Sequence, residues 1–333
     1  MSSQVITISS PTSYQVFQRD DAGAASVRIC GTAPTSARSV QARIVRLDDC
    51  AEIVGWQPLN VIDREYSGTL TAPAGGWYKV EVKAIAEDGK VLSEDAMEKI
   101  GVGEVFICAG QSNAANHGEV RLRSEDDRVS GFDGTNWSHC KDPQRGASGE
   151  DGSPWPALGD LLAGSLDMPV AFASVAVGGT SVDFWQPGAD GYAGLRNAAV
   201  ALGVGGARAV LWHQGESDTL NAMSAETYKS RLTNTIRQTR LDAGYEIPWF
   251  VANVSFVPAD WEQQPDAQNA IRAGQQAIWQ EGLAKPGPDT DDLSDPKYRS
   301  ADRIHFSELG LRAHAQGWHT VLCGHLLGAK NEV

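Results

Sequence analysis

The residues best equipped for chemistry in this chain fall in four short segments. Ser112 sits in AGQSNAAN, Gly178 and Gly179 in AVGGTSVDFW, and Gln214 and Glu216 in WHQGESD; Asp302 precedes His305 by three residues in SADRIHFSELG. Together they offer a hydroxyl, backbone donors unshielded by side chains, an amide and a carboxylate–imidazole pair. Acyl transfer through a serine needs that set: a nucleophile, a general base, an acid to orient it and donors for the oxyanion. Taken singly, each is ordinary. A serine in a glycine-rich turn is turn chemistry, paired glycines are common where strands give way to helices, and D-x-x-H suits a helix cap. The HQGE segment is harder to dismiss, because polar side chains at a buried strand end need partners or cost stability.

The elements around these segments explain how they could meet. EVFICAG (104–110), VAFASVA (170–176), RAVLWHQ (208–214) and WFVANVS (249–255) are near-continuous apolar runs, the pattern of strands buried on both faces. Helix-like segments separate them. SPWPALGDLLAGSL offers Ser153 as N-cap and Pro154 at the first helical position, and SAETYKSRLTNTIRQTRLDAG runs from a Ser224 cap to a Gly244 stop. Two more helical patterns follow, DAQNAIRAGQQAIWQEG and SELGLRAHAQGWHTVLCGHLLG. Alternation of this kind predicts an α/β domain with a mostly parallel sheet, whose ligands bind in the loops after the strands' carboxyl ends. Ser112, the glycine pair and HQGE all follow such strands. Before about residue 100 the pattern differs. SYQVFQ, ASVRICG, SVQARIVRL and GWYKVEVKAIA read as short strands between turns. In the last, Tyr78, Val80, Val82 and Ala84 alternate with Lys79, Glu81 and Lys83, as a half-buried antiparallel strand requires. The prediction is a small all-β sandwich over 1–100 and an α/β catalytic domain over 101–333.

Composition narrows the function. Lys and Arg number 28 against 42 Asp and Glu, a formal net charge of −14, which repels phosphate backbones and anionic membrane surfaces. No basic cluster offsets it, so neither nucleic acid nor a membrane is an expected partner. The five cysteines, Cys30, Cys50, Cys108, Cys140 and Cys323, are scattered, without a CxxC pair or an HExxH, so no metal or other cofactor is expected and free thiols are the expected state. MSSQVITISS lacks the basic start and apolar run of a secretory signal, and no run reaches the roughly 18 apolar residues of a membrane span. A soluble protein is expected, extracytoplasmic only if a signal lies upstream. Oligomeric state is not legible. Ten tryptophans favour a sugar-binding surface, with Trp155, Trp185, Tyr192 and Trp261 near the predicted active face as candidates to stack on pyranose rings.

GQSNA, GGTS…W, WHQGESD and D-x-x-HFS-x-x-G resemble the conserved blocks of the SGNH (GDSL-like) hydrolases, and within them the sialate O-acetylesterase-like and carbohydrate esterase family six branch. The resemblance covers about 101–325. It implies a three-layer α/β/α sandwich with a five-stranded parallel sheet, free of metal, that removes O-acetyl groups from acetylated polysaccharide or sialic acid. Carried onto this sequence, it makes Ser112 the nucleophile, His305 the base and Asp302 the orienting acid. The oxyanion hole would comprise the N–H groups of Ser112 and Gly179 and the Gln214 amide, which stands where the wider superfamily has an asparagine. Glu216 either braces its loop or competes with Asp302 for His305.

Three other readings compete with this one. An α/β-hydrolase needs G-x-S-x-G, but here the segment ends in Ala114 and the Asp lies too close to the His. A catalytically silent carbohydrate-binding protein would suit the front strands and the tryptophans, yet every catalytic position holds a competent residue. An esterase for non-sugar short-chain esters keeps the chemistry and changes the substrate.

Overall fold

The computed structural model describes residues 5–262 and 264–328. One strand organises it. β8 (Val91–Gly110) pairs antiparallel through its first half with β7 (Gly75–Ile85), then continues as a strand of a parallel sheet. The strands before it are β1 (Thr7–Ser10), β2 (Val16–Gln18), β3 (Ala24–Thr32), β4 (Ser39–Arg46), β5 (Glu52–Ile62) and β6 (Glu65–Pro73). β1, β3, β6, β5, β4 and β7 pair antiparallel in that order, and short β2 runs parallel to β8 at Gly101–Gly103. Their apolar side chains converge on one cluster around Val27, Ile29, Ile44, Val80 and Val82. The alternation read in β7 holds, with Tyr78, Val80, Val82 and Ala84 all buried.

The parallel sheet is larger than expected. Its order is β10 (Trp137–His139), β9 (Val129–Phe132), β11 (Val170–Ser174), β8, β12 (Ala209–His213), β13 (Trp249–Asn253) and β14 (Lys285–Asp289). All neighbours run parallel except the β10–β9 pair at the edge. The strands that run parallel are therefore six, not five. β9 is only four residues long and carries two small residues, Ser130 and Gly131, so it lacks the apolar run that marked the others.

Helices cover both faces. Phe106 and Cys108 of β8 pack with α1 (Trp155–Leu166) and α6 (Glu308–Gly328) in one cluster. Ile107 and Ala109, one residue out of phase, pack with α2 (Asp190–Leu202), α4 (Ala225–Ala243) and α5 (Ala267–Gln280) in a second. The period of two in a strand delivers alternate residues to opposite layers. A five-residue helix, α3 (Glu216–Leu220), opens directly after the HQG turn. The α4 caps stand as read: Ser224 accepts from Thr227 N, and Gly244 takes the left-handed conformation at φ 76°. At α1 the reading needs correcting. Pro154 occupies the cap position, and Ser153 instead donates its hydroxyl to Asp142 at 2.6 Å.

β8 has β11 on one side and β12 on the other, so the chain switches direction across the sheet at its carboxyl end. Open parallel sheets form their ligand crevice at such a switch. The front strands are locked to the other, amino-terminal end of this sheet by Glu104, wholly buried on β8, which receives Arg19 at 2.5 Å, Arg208 at 2.7 Å and Gln18 at 2.9 Å. All five cysteines are free, and among the described residues no helix is long and apolar enough to cross a membrane.

Candidate active site

Ser112 begins a single 3-10 turn, Ser112–Ala114, immediately after β8. The turn is anchored by Gln111 N, which donates to His213 O at the end of β12 (3.0 Å), and by Asn113. Asn113 Nδ2 donates both to Glu216 Oε1 (2.9 Å) and to the carbonyl of Ile304 (3.2 Å). A residue next to the serine thus ties its turn to the HQGE loop and to the residue before His305. A cleft of about 220 Å³ opens over this junction, lined by Gln111, Ser112, His117, Gly179, Glu216, Ser217, Leu220, Val257, Trp261, Ile304 and His305.

The candidate base His305 and its partner Asp302 are held by one turn. Asp302 Oδ2 lies 2.6 Å from His305 Nδ1, while Oδ1 accepts from Ser300 Oγ (2.7 Å), His305 N (2.9 Å) and Ile304 N (3.0 Å). Partial burial pushes the Asp302 carboxyl up, but these hydrogen bonds outweigh it and hold the group well below the usual carboxylate range. An ionised Asp302 only accepts, so Nδ1 carries the ring proton and Nε2 is left with a lone pair.

Glu216 has a different environment. It is buried; Oε1 receives Asn113 and Oε2 receives the backbone N–H of Gly215 at 3.1 Å. Burial lifts its carboxyl to about 7 against the pull of these donors and of Arg299. Arg299, also buried, spends its donors on the carbonyls of Thr290, Leu293 and Ile304, bracing the base loop from behind. Glu216 therefore serves the loops around it, and Asp302 is the carboxylate hydrogen-bonded to His305.

Several expectations need correction. Gln214 does not line the cleft. Its side chain is wholly buried, and its amide nitrogen serves Gln111 Oε1 (3.1 Å), the Thr180 carbonyl (3.1 Å) and Asp218. The side-chain amide at the cleft belongs to Gln111. Its Oε1 accepts from Gln214 Nε2 and from the backbone N–H groups of Gly215 (3.3 Å) and Ser217 (3.2 Å). Backbone N–H groups can only donate, so they fix which end is oxygen, and among the described residues the two N–H bonds of the Gln111 amide have no acceptor. Three of the four aromatic candidates are structural. Trp155 is buried and donates to Ala114 O (2.8 Å), Trp185 is buried and donates to Thr180 Oγ1 (3.1 Å), and Tyr192 donates to Asp242 (2.6 Å). Trp261 alone of the four lines the cleft. His117, Gln111 and Asn113 were not singled out from the sequence. Among the described residues, no group of three or more His, Cys, Asp or Glu could hold a metal ion.

Residues 102–308 match the family model described as carbohydrate esterase, sialic acid-specific acetylesterase. The chain belongs to that family. Its activity is accordingly that of an esterase removing acetyl groups from carbohydrate. No curated protein matches the chain. A carbohydrate acetylesterase from Xanthomonas citri is similar in structure, with a TM-score of 0.62 at 16% identity over 97% of this chain and 76% of that one. A protein from Arabidopsis thaliana gives a TM-score of 0.52 at 20% identity, over 68% of this chain and 98% of that one. These two likenesses bear on the fold.

Proposed function

We propose that this family member hydrolyses acetyl esters of sugars through a Ser112–His305–Asp302 triad. The observation that carries the reading is the ionised Asp302 on His305 Nδ1, in the cleft that Ser112 also lines. Ser112 Oγ attacks the acetyl carbonyl as His305 Nε2 takes its proton. The oxyanion is received by the N–H groups of Ser112 and Gly179 and by the unspent amide of Gln111, in place of Gln214. Collapse breaks the bond to the sugar oxygen, which leaves with the proton from His305. Water, deprotonated by the same nitrogen, then releases acetate from Ser112. At about 220 Å³ the cleft is smaller than a typical ligand pocket of roughly 300–1,000 Å³, which suits an acetyl group. Trp261 on its wall offers a ring face for the sugar.

The architecture that goes with this reading is an SGNH-type α/β/α catalytic domain from about residue 101, preceded by an all-β domain over 1–100 that shares β8 with it. Ser112→Ala tests the reading. A covalent nucleophile has no substitute, so acetate release from acetylated glycans and turnover of 4-nitrophenyl acetate should fall on the order of 10⁶-fold in kcat. Fluorophosphonate labelling should vanish with it. Activity within about tenfold of the parent would remove Ser112 from the role.

A further inference from the structure

The turn that carries Ser112 runs on to His117, whose ring lies in the cleft beside Ser112 and His305. The two imidazoles lie nearly face to face, with centroids 5.2 Å apart and planes 23° from parallel. The Nε2 edge of His117 packs on the glycine loop. A Cβ placed on Gly178 would stand 2.5 Å from His117 Nε2 and 3.0 Å from Cε1, so only a residue without a side chain lets the ring rest there. His117 Nε2 also meets Ser148 Oγ at 3.4 Å, and that hydroxyl accepts Gly178 N–H at 2.7 Å. One side chain therefore touches the general base and, directly and through Ser148, the loop that presents Gly179.

We propose that His117 is a positioning residue: a neutral imidazole that fixes the plane of His305 and its spacing from the glycine loop, and that must remain unprotonated for turnover. The inference rests on the acetylesterase reading above. During attack His305 becomes a cation. The face of a neutral ring favours a neighbouring cation, whereas a second cation about 5 Å away opposes it. Burial first, and His305 second, hold His117 below the ordinary histidine range; Asp151, after Ser148, and Asp302, on the base loop, pull it the other way.

The experiment follows kcat and KM for 4-nitrophenyl acetate across the acid limb in the parent, His117→Ala, His117→Phe, Gly178→Ala and Ser112→Ala. His117→Ala should lower kcat by about tenfold or more, the scale of effect that misplacing a catalytic group produces, with KM within about twofold. His117→Phe restores a ring without a proton site and should recover most of that loss. The acid limb of log kcat/KM should steepen toward two protons in the parent and stay at one in His117→Phe. Gly178→Ala, which displaces the ring, should reproduce the loss in kcat. Should His117→Ala fail to fold, the acid limb of His117→Phe decides. Unchanged kcat and an unchanged acid limb in the variants would overturn the inference, and so would a rise confined to KM, which would make His117 a sugar contact. Either result beside an inactive Ser112→Ala leaves the acetylesterase reading intact; an active Ser112→Ala overturns both.

Discussion

Replacing Asp302 by asparagine preserves size and removes charge, and the surrounding donors dictate which way the new amide lies. Three donors converge on Oδ1, from Ser300 Oγ, Ile304 N and His305 N, and the last two are backbone N–H groups that cannot become acceptors. The asparagine oxygen must take that place, or two buried or partly buried donors lose their partner. Its NH₂ then faces His305 Nδ1, where Oδ2 now stands at 2.6 Å. A donor there demands a lone pair on Nδ1 and moves the ring proton to Nε2, and an Nε2–H cannot accept the proton of Ser112. The variant is folded, binds substrate and holds its base in the wrong tautomer.

The expected cost is about 10⁴ in kcat, or about 5 kcal/mol of barrier, with KM little changed. Steady-state turnover of 4-nitrophenyl acetate at neutral pH measures it, and circular dichroism confirms the fold. Glu216→Gln is the paired control. Neither Glu216 oxygen is hydrogen-bonded to His305, since one receives Asn113 and the other Gly215 N, so kcat should stay within about tenfold of the parent. Near-normal turnover in Asp302→Asn beside an inactive but folded Glu216→Gln would refute the tautomer argument and transfer the role to Glu216.

Two further outcomes follow from the buried polar groups. Gln111→Ala should lower kcat by about 10²–10³, the cost of one oxyanion donor, whereas Gln214→Ala should chiefly lower the melting temperature, because that amide ties Gln111, Thr180 and Asp218 together; the opposite pattern would return Gln214 to the oxyanion role. Glu216 makes stability depend on pH: its folded carboxyl is raised to about 7 from 4.5, so the stabilisation is present below about pH 4.5 and lost as pH rises through 7. Urea unfolding of the parent and Glu216→Gln at the two ends should diverge by on the order of 3 kcal/mol, and parallel curves would show that Glu216 is not the group responsible.

The four loops that carry the candidate site residues were legible because each follows or precedes an element with a strong local signal. EVFICAG, VAFASVA, RAVLWHQ and WFVANVS are long apolar runs, and they became β8, β11, β12 and β13 with every residue of the last three buried. β14 escaped because KPGPD, with two prolines and a glycine, has no strand propensity. It forms at the sheet edge, where missing donors cost little. β9 escaped for want of length and apolar content. Within the site, the D-x-x-H pair was readable because both partners lie on one turn. The choice between Gln111 and Gln214 was not, since two glutamines at adjacent strand ends compete for one place and only packing decides. Gln214 lies inside the loop cluster and Gln111 at its surface. Three of the four aromatic candidates failed for the same reason: position near a loop says nothing about whether a ring points out, and Trp155 and Trp185 found buried acceptors for their N–H groups.

What brings these pieces into register is Asn113, a residue with no chemistry of its own to perform. Asn113, on the Ser112 turn, lies 103 residues before Glu216 of the HQGE loop and 191 before Ile304 of the His305 loop, and each segment alone has freedom to shift. Asn113 Nδ2 reaches Glu216 on one side and the Ile304 carbonyl on the other, and Arg299 Nη1 holds that same carbonyl at 2.8 Å. The amide of Asn113 is buried, so neither bond can be exchanged for water without cost. The carboxyl of Glu216 accepts from it without a hydrogen bond to the histidine, and the guanidinium of Arg299 limits the penalty for burying that carboxyl by drawing its titration down. The distance between serine and histidine is thus set by a polar bridge beneath them, which leaves the surface of the cleft, His117 and Gln111 included, free to face the substrate.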